Sequence, residues 1–438
     1  VEHYRQALAS KDQNDPLRLK LALALARQGD YPAAITEAST LLNDKPESLS
    51  TRLTLARLYK EDRQYSRAIS AYRDLLDRKP GQLQVLLELG LLLEQQGQSA
   101  EALKLYEDGI AQEPRAVAVR DQMARLLVAE NRFAEALQLL QELNDLHPDK
   151  TQILGRIGLL QLEMKRWAEA ELTFRKLLRV EPNHERSLYY LGLALSGSGD
   201  YHGALQELAL VSSDSEVYLE SVTQRAYLHQ KNDHPQKAVE LLHAVLDEGL
   251  NDPIIYYYLS SSLVSLERLI DAEEVLSKGV ELHPENVNLR YQLGVVYEKM
   301  ERRDEAGRQM EAILEIDPNH ADALNYIAYL KAESGENLDQ ALIEAKRALA
   351  TKEEGYILDT LGWIYFKLGR YEEGRKSLEE ASRLQPEDPV VLEHLGDLYR
   401  ALMLWSEAAD AYRQVLELDP IHEGIREKLD ALPDGNAQ

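Results

Sequence analysis

Apolar residues recur along this chain at helical spacing, in runs broken by short polar turns such as Arg27-Gln28-Gly29-Asp30 and Lys367-Leu368-Gly369-Arg370. Such runs predict amphipathic helices joined by tight connections. The runs come in pairs, and the pairs repeat. Prolines stand at Pro46, Pro80, Pro114, Pro148 and Pro182, each 34 residues after the last, and the same register returns at Pro284, Pro318, Pro386 and Pro420. A proline lacks an amide donor and biases the residue before it away from helical angles, so each one marks where a helix stops. The slots at Glu216, Leu250 and Lys352 lack proline, yet the frame survives across them.

With the proline as position 32, two columns hold small residues. Position 8 reads Ala22, Ala56, Gly90, Ala124, Gly158, Gly192, Ala226, Ser260, Gly294, Ala328, Gly362, Gly396. Position 20 is alanine from Ala34 to Ala306, then Ala341 after a one-residue slip, Gly374 and Ala408. Small side chains let two helices approach closely, so these columns predict the crossing point within each pair. Position 7 is apolar with Arg225 as the exception, and position 24 carries large residues such as Tyr72, Tyr106, Phe174, Leu208 and Tyr412.

This pattern resembles the tetratricopeptide repeat. The best single copy is Leu361-Gly362-Trp363-Ile364-Tyr365, then Gly369-Arg370-Tyr371, then Pro386, and the resemblance covers nearly the whole chain. It implies an all-α solenoid of about twelve 34-residue helix-turn-helix repeats wound into a right-handed superhelix, spanning residues 15–422. Residues 1–14 are expected to be a leftover second helix of an upstream repeat, with Glu2 to Ser10 helical and Tyr4 at position 24. Residues 423–438 are expected to form a capping helix, Glu423 to Ala431, and a tail ended by Pro433-Asp434-Gly435-Asn436. A polar-faced terminal helix is the usual end of a solenoid.

Two stretches depart from the pattern. The repeat at 219–252 has Arg225 and His229 at usually apolar positions and follows Ser212-Ser213-Asp214-Ser215, rich in turn-forming residues. A hinge or register disturbance is expected there. The repeat at 321–354 gains a residue in Gly335-Glu336-Asn337-Leu338 and loses one near Glu353-Glu354-Gly355.

The resemblance places positions 2, 5, 6, 9, 12 and 13 on a concave inner face. Of the 23 tyrosines, twelve fall in scaffold columns 11, 17 and 24. The other eleven all lie between residues 189 and 356: Tyr189, Tyr190, Tyr218, Tyr227, Tyr256, Tyr257, Tyr258, Tyr291, Tyr326, Tyr329 and Tyr356. Tyrosine combines a broad apolar face with a polar tip at low entropy cost, which suits a binding surface. The expected site is a tyrosine-lined groove in repeats five to ten, holding a protein or peptide segment. Its residues are Tyr189, Tyr190, Tyr227, Tyr257, Tyr258, Tyr291, Asn325, Tyr326, Tyr329, Trp363 and Phe366. The competing explanation is packing between neighbouring first helices. The earlier inner face reads Leu53, Leu87, Asp121, Gly155 at position 5 and Arg57, Leu91, Arg125, Leu159 at position 9, a second surface or a helix contact. No lysine–asparagine pair occupies positions 5 and 9, so recognition of a chaperone-tail carboxylate, known in the family, is not expected.

Composition narrows the partner. With 50 Lys and Arg against 75 Asp and Glu, the net charge is −25, which repels nucleic acid and anionic lipid. No apolar run approaches the roughly 20 residues of a membrane span. Cysteine is absent, excluding disulfides, thiolate metal sites and cysteine nucleophiles. There is no H-E-x-x-H, P-loop or nucleophile elbow, and Gly197-x-Gly199 sits in a repeat turn with no preceding strand. His147, His184, His283, His320 and His422 flank the repeat prolines as punctuation, and His229, His234 and His243 match no metal spacing. Hence no cofactor, metal or catalytic role is expected.

Three functions remain: a non-catalytic interaction scaffold; a regulatory or targeting subunit of a cell-envelope polymer synthesis, export or assembly complex; and the non-catalytic part of an enzyme truncated upstream. Ala323-Leu324-Asn325-Tyr326, Gly335 to Ala341, Leu358 to Tyr371 and Asp388-Pro389 to Asp397 also look like repeat proteins of the bacterial cell envelope. That resemblance implies a periplasmic or outer-membrane-associated location with a removed leader; a cytoplasmic one is the alternative.

Overall fold

A computed structural model describes residues 1–9, 15–148 and 150–433. The described residues are helical with no strand, in 26 helices. Ser10 and the terminal Asp434-Gly435-Asn436, both named in the expected end structures, lie outside the described residues. The chain falls into two compact units, Val1–Tyr218 and Leu219–Gln438. Each is a run of helix hairpins in which a first helix of about 13 residues turns into a second of about 14, as in Leu49–Glu61 followed by Tyr65–Arg78.

The hairpin turn has one conformation throughout. Position 15 is left-handed in every pair, whether glycine (Gly29, Gly97, Gly199, Gly335, Gly369) or not (Arg63, Asn131, Lys165, Asp233, Glu267, Glu301, Met403). Asn337, at the slip, is left-handed as well. Glycine adopts this geometry freely and other residues at a cost. The turn to the next pair closes on the proline, and a side chain then caps the following helix. Ser48, Asp252, Asn286 and Asp388 accept backbone N–H bonds there, and so do His184, His320 and His422. These three proline-flanking histidines are therefore helix caps, since the imidazole Nδ1 accepts from the amide of the third residue on, at 3.3 Å in each case. A second tie was not legible in the sequence. Arg52, Arg120, Arg290 and Arg426 each donate to the carbonyl of the proline six residues earlier.

The small columns lie at the helix crossings. The alanines of positions 8 and 20 have no exposed surface, and Ser260 is equally buried. Against a position-8 glycine lies the large position-24 residue of the same pair. A Cβ on Gly158 would fall 2.5 Å from the Phe174 ring, one on Gly396 2.5 Å from Tyr412, and one on Gly294 2.5 Å from Met310 Cε. At three of the position-24 tyrosines the hydroxyl donates to a carboxylate: Tyr72 to Glu88 at 3.0 Å, Tyr106 to Glu94 at 2.5 Å, Tyr412 to Asp397 at 2.7 Å.

The two departures have structural expressions. Helix Tyr201–Leu208 has 8 residues where its counterparts have 13 or 14. Beyond it, serine side chains take over backbone bonding: Asp214 N–H donates to Ser212 Oγ and Val217 N–H to Ser215 Oγ. The division between the two units follows directly. At the other site, helix Ala321–Ser334 carries one extra residue, and the connection 352–354 into Gly355–Lys367 is one residue shorter than usual. The register is thereby restored within a single repeat.

At the ends, Glu2–Ala9 packs Tyr4 and Leu8 onto the first core cluster. Helix Glu423–Asp430 buries Ile425 against the Tyr412 cluster, and its Lys428 reaches Glu393 and Asp397 at 2.6 Å. No helix among the described residues is long and apolar enough to cross a membrane.

A tyrosine-lined inner face in the second unit

Counted from Asp15, the candidate residues stand in the sixth to eleventh helix pairs, one pair later than the expected numbering. Tyr189 and Tyr190 belong to the first unit and the rest to the second. In the first unit the Tyr190 ring lies 5.7 Å from Phe174 and 5.4 Å from Tyr189, a local aromatic cluster. The earlier inner face there is knitted by ion pairs between neighbouring first helices, Arg57 with Glu88 and Asp121 with Arg156. Leu91 and Leu159 stay exposed beside them.

In the second unit the first helices Pro253–Ser265, Val287–Lys299, Ala321–Ser334 and Gly355–Lys367 lie side by side. Two concavities open between them. The first, of about 650 Å³, is lined by Tyr257, Tyr291, Ile254, Asn288, Gln292 and Asp322, with Asp252, Asn286 and His320 at its rim. The rim residues are the caps of these helices, so their acceptor atoms are already engaged with backbone amides. The second, of about 270 Å³, is lined by Tyr291, Tyr326, Tyr329, Tyr356, Asn325 and Val295 among others. Tyr291 and Asp322 border both, so the two adjoin.

The polar groups divide sharply. Tyr326 donates to Glu298 at 2.5 Å, and Glu298 also faces Arg303 at 3.5 Å. Tyr356 donates to Asp322, and Lys352 Nζ reaches both Asp322, at 3.2 Å, and the Tyr356 hydroxyl, at 2.8 Å. Burial and this acceptor push the Tyr356 hydroxyl up to about 12, and the bond to Tyr356 raises Lys352. Burial raises Tyr258, Tyr291 and Tyr329 too, so all these rings are neutral near pH 7. Asn325 differs: the oxygen of its side-chain amide is buried with no hydrogen-bond partner.

Other candidates are committed to packing. Trp363 is 8% exposed. Its ring stacks on Phe366 at 4.8 Å and on His394 at 4.1 Å, and its indole N–H donates to Glu333 at 2.7 Å. His394 in turn holds Asp359 at 2.9 Å, both buried. Tyr256, one of the eleven unassigned tyrosines, is wholly buried and donates to Asn251. Tyr227 is exposed, with Lys231 over its ring, and Tyr257 and Tyr258 meet edge to face at 5.5 Å. Tyr356, outside the expected set, is a wall of the second concavity. Its place in the position-2 column was the signal. Among the described residues no cluster of three or more His, Asp or Glu could hold a metal ion.

Models of the tetratricopeptide repeat match residues 1–47, 53–116, 127–194, 263–328 and 360–420. A TPR repeat-containing protein of Pseudomonas aeruginosa is 24% identical over 144 residues, 33% of this chain and 24% of that protein. A BBSome complex member of Bos taurus is 25% identical over 236 residues, 54% of this chain and 44% of that protein. The chain thus spans less than half the length of these curated relatives. A crystal structure of a tetratricopeptide repeat protein from Parabacteroides merdae superposes with a TM-score of 0.43 at 16% identity, over 56% of this chain and 97% of that one.

Proposed function

This chain belongs to the tetratricopeptide repeat family, and from that premise we propose that its second unit holds a segment of another protein against Tyr257, Tyr258, Tyr291, Asn325, Tyr326 and Tyr329. A stack of helix hairpins with an open inner face is an interaction scaffold, a role that needs no chemistry of its own. The observation that carries the proposal is the pair of adjoining concavities that share Tyr291 and Asp322. Their walls are tyrosine rings that the helix crossings do not require, since the crossings are filled by positions 8, 20 and 24. Rings already held in place by neighbouring helices lose little entropy on binding, which favours them as anchors. Tyr189, Tyr190 and the exposed Tyr227 are proposed as further contacts on their own units. Trp363 and Phe366 pack in one cluster with Tyr329 and back the face there.

The test is photo-crosslinking in the source cell, with a photo-reactive amino acid at Tyr291 and, as control, at the exposed Glu240 on the second helix of its pair. A discrete protein adduct from Tyr291 alone supports the proposal and isolates the partner. Equal adducts at both sites, or none, overturn it.

A further inference from the structure

The smaller concavity has a definite chemistry. It is lined by Tyr291, Tyr326, Tyr329 and Tyr356 with Val295 and Met310, the last beside Gly294. At about 270 Å³ it would hold roughly nine waters at ~30 Å³ each. Most of those would face apolar surface, so a large apolar group gains by displacing them.

The carboxylates around it are already answered within the chain, and Lys299 adds a positive charge to the lining. Asp322 is paired with Lys352 and accepts from Tyr356; Glu298 accepts from Tyr326 and faces Arg303. A cation entering here would have to compete with Lys352 and Arg303 and be stripped of water, for little net attraction. The Asn325 amide oxygen is buried in its lining with no hydrogen-bond partner among the described residues. The oxygen and nitrogen of an amide exchange places by a simple flip, so the missing partner is a donor or an acceptor. A main-chain peptide unit offers both. An extended backbone leaves both free, whereas the interior of a helix spends them internally.

We propose that this cavity receives a large uncharged side chain, leucine, methionine or phenylalanine, from an extended segment of a partner protein, with the Asn325 amide bonded to that segment's main chain. The inference rests on the scaffold reading above and narrows it to a sequence preference.

A display library of random twelve-residue peptides, panned against the whole chain, tests it. Enriched peptides are expected to share one Leu, Met or Phe position. Replacing that residue by Lys should weaken binding about 10- to 100-fold, as loss of a buried apolar side chain does. Val295→Trp, which fills the cavity, should weaken it as much. Asn325→Leu, close in shape and without the amide, should cost about tenfold. Circular dichroism identifies any variant that fails to fold, and the unaltered chain with the Lys-substituted peptide still decides the matter. Enrichment of Lys or Arg at the shared position overturns the inference and leaves the scaffold reading standing. So does binding indifferent to both variants. No enriched peptide together with no adduct at Tyr291 takes down both.

Discussion

Gly158 and Phe174 share one space: a Cβ on the glycine would lie 2.5 Å from the ring of the residue 16 positions later. The glycine is therefore required by its partner, not by backbone angles. Gly158→Ala gains helix propensity, yet the overpacking should dominate and destabilise the first unit by about 1–3 kcal/mol. Phe174→Leu in the same chain should recover part of the loss. Urea unfolding of the four combinations checks this, and additive effects would count against the shared space.

Ala238, fully buried in the other small column, makes the same point for the second unit. Ala238→Leu should cost about 1–3 kcal/mol. In a structure whose repeats touch only neighbours the damage stays local. Hydrogen exchange should rise first in residues 219–265; uniform loss of protection along the whole chain would contradict it.

Met403 occupies a left-handed turn position at φ 62° with 71% of its surface exposed. Met403→Gly removes that strain and loses almost no packing. Stability should rise by about 0.5–1 kcal/mol, after allowing for the greater freedom of glycine when unfolded. A shift of the denaturant midpoint at unchanged slope is the measurement.

His229 sits where most repeats carry an apolar residue. Burial foremost, then Arg225, Lys237 and His234, lower its pKa below the usual histidine value. The unfolded chain therefore takes up a proton near pH ~6.5 that the folded chain resists. The contribution of this histidine is intact above that pH and is lost as pH falls, levelling off below the folded-state pKa. Unfolding free energy measured from pH 7.5 to 5 should decline less steeply in His229→Gln; identical slopes would exclude this residue as a source.

Tyr72 and Tyr291 should respond differently to loss of a hydroxyl. Tyr72 donates to Glu88 from a fully buried ring, so Tyr72→Phe should cost about 1 kcal/mol or more. No hydrogen bond within the described chain uses the Tyr291 hydroxyl, so Tyr291→Phe should change stability by less than about 0.5 kcal/mol. Its effect is expected on partner affinity instead, and calorimetry of both variants with a captured partner separates the two roles.

The sequence alone determined the helices, their pairing and their period. These depend on local spacing, on prolines that stop helices and on small residues that must face one another every 34 positions. It also marked the turn-prone linker Ser212 to Ser215 and the slip at Gly335, since an inserted or turn-prone residue leaves its sign where it stands; that the helix before the linker is short came from the structure. Tertiary structure decided what each tyrosine does. Tyr256 and Tyr257 are chain neighbours, yet one is sealed inside and the other lines an open concavity, because a helix turns about 100° per residue and only the packed neighbours fix which side is covered. It also decided that Trp363 is stacked between Phe366 and His394, that Asp322 is neutralised by Lys352 thirty residues away, and that Asn325 keeps one buried end without a partner. Each of these depends on side chains brought together from different repeats, and a column read along one chain carries no record of which atoms finally meet.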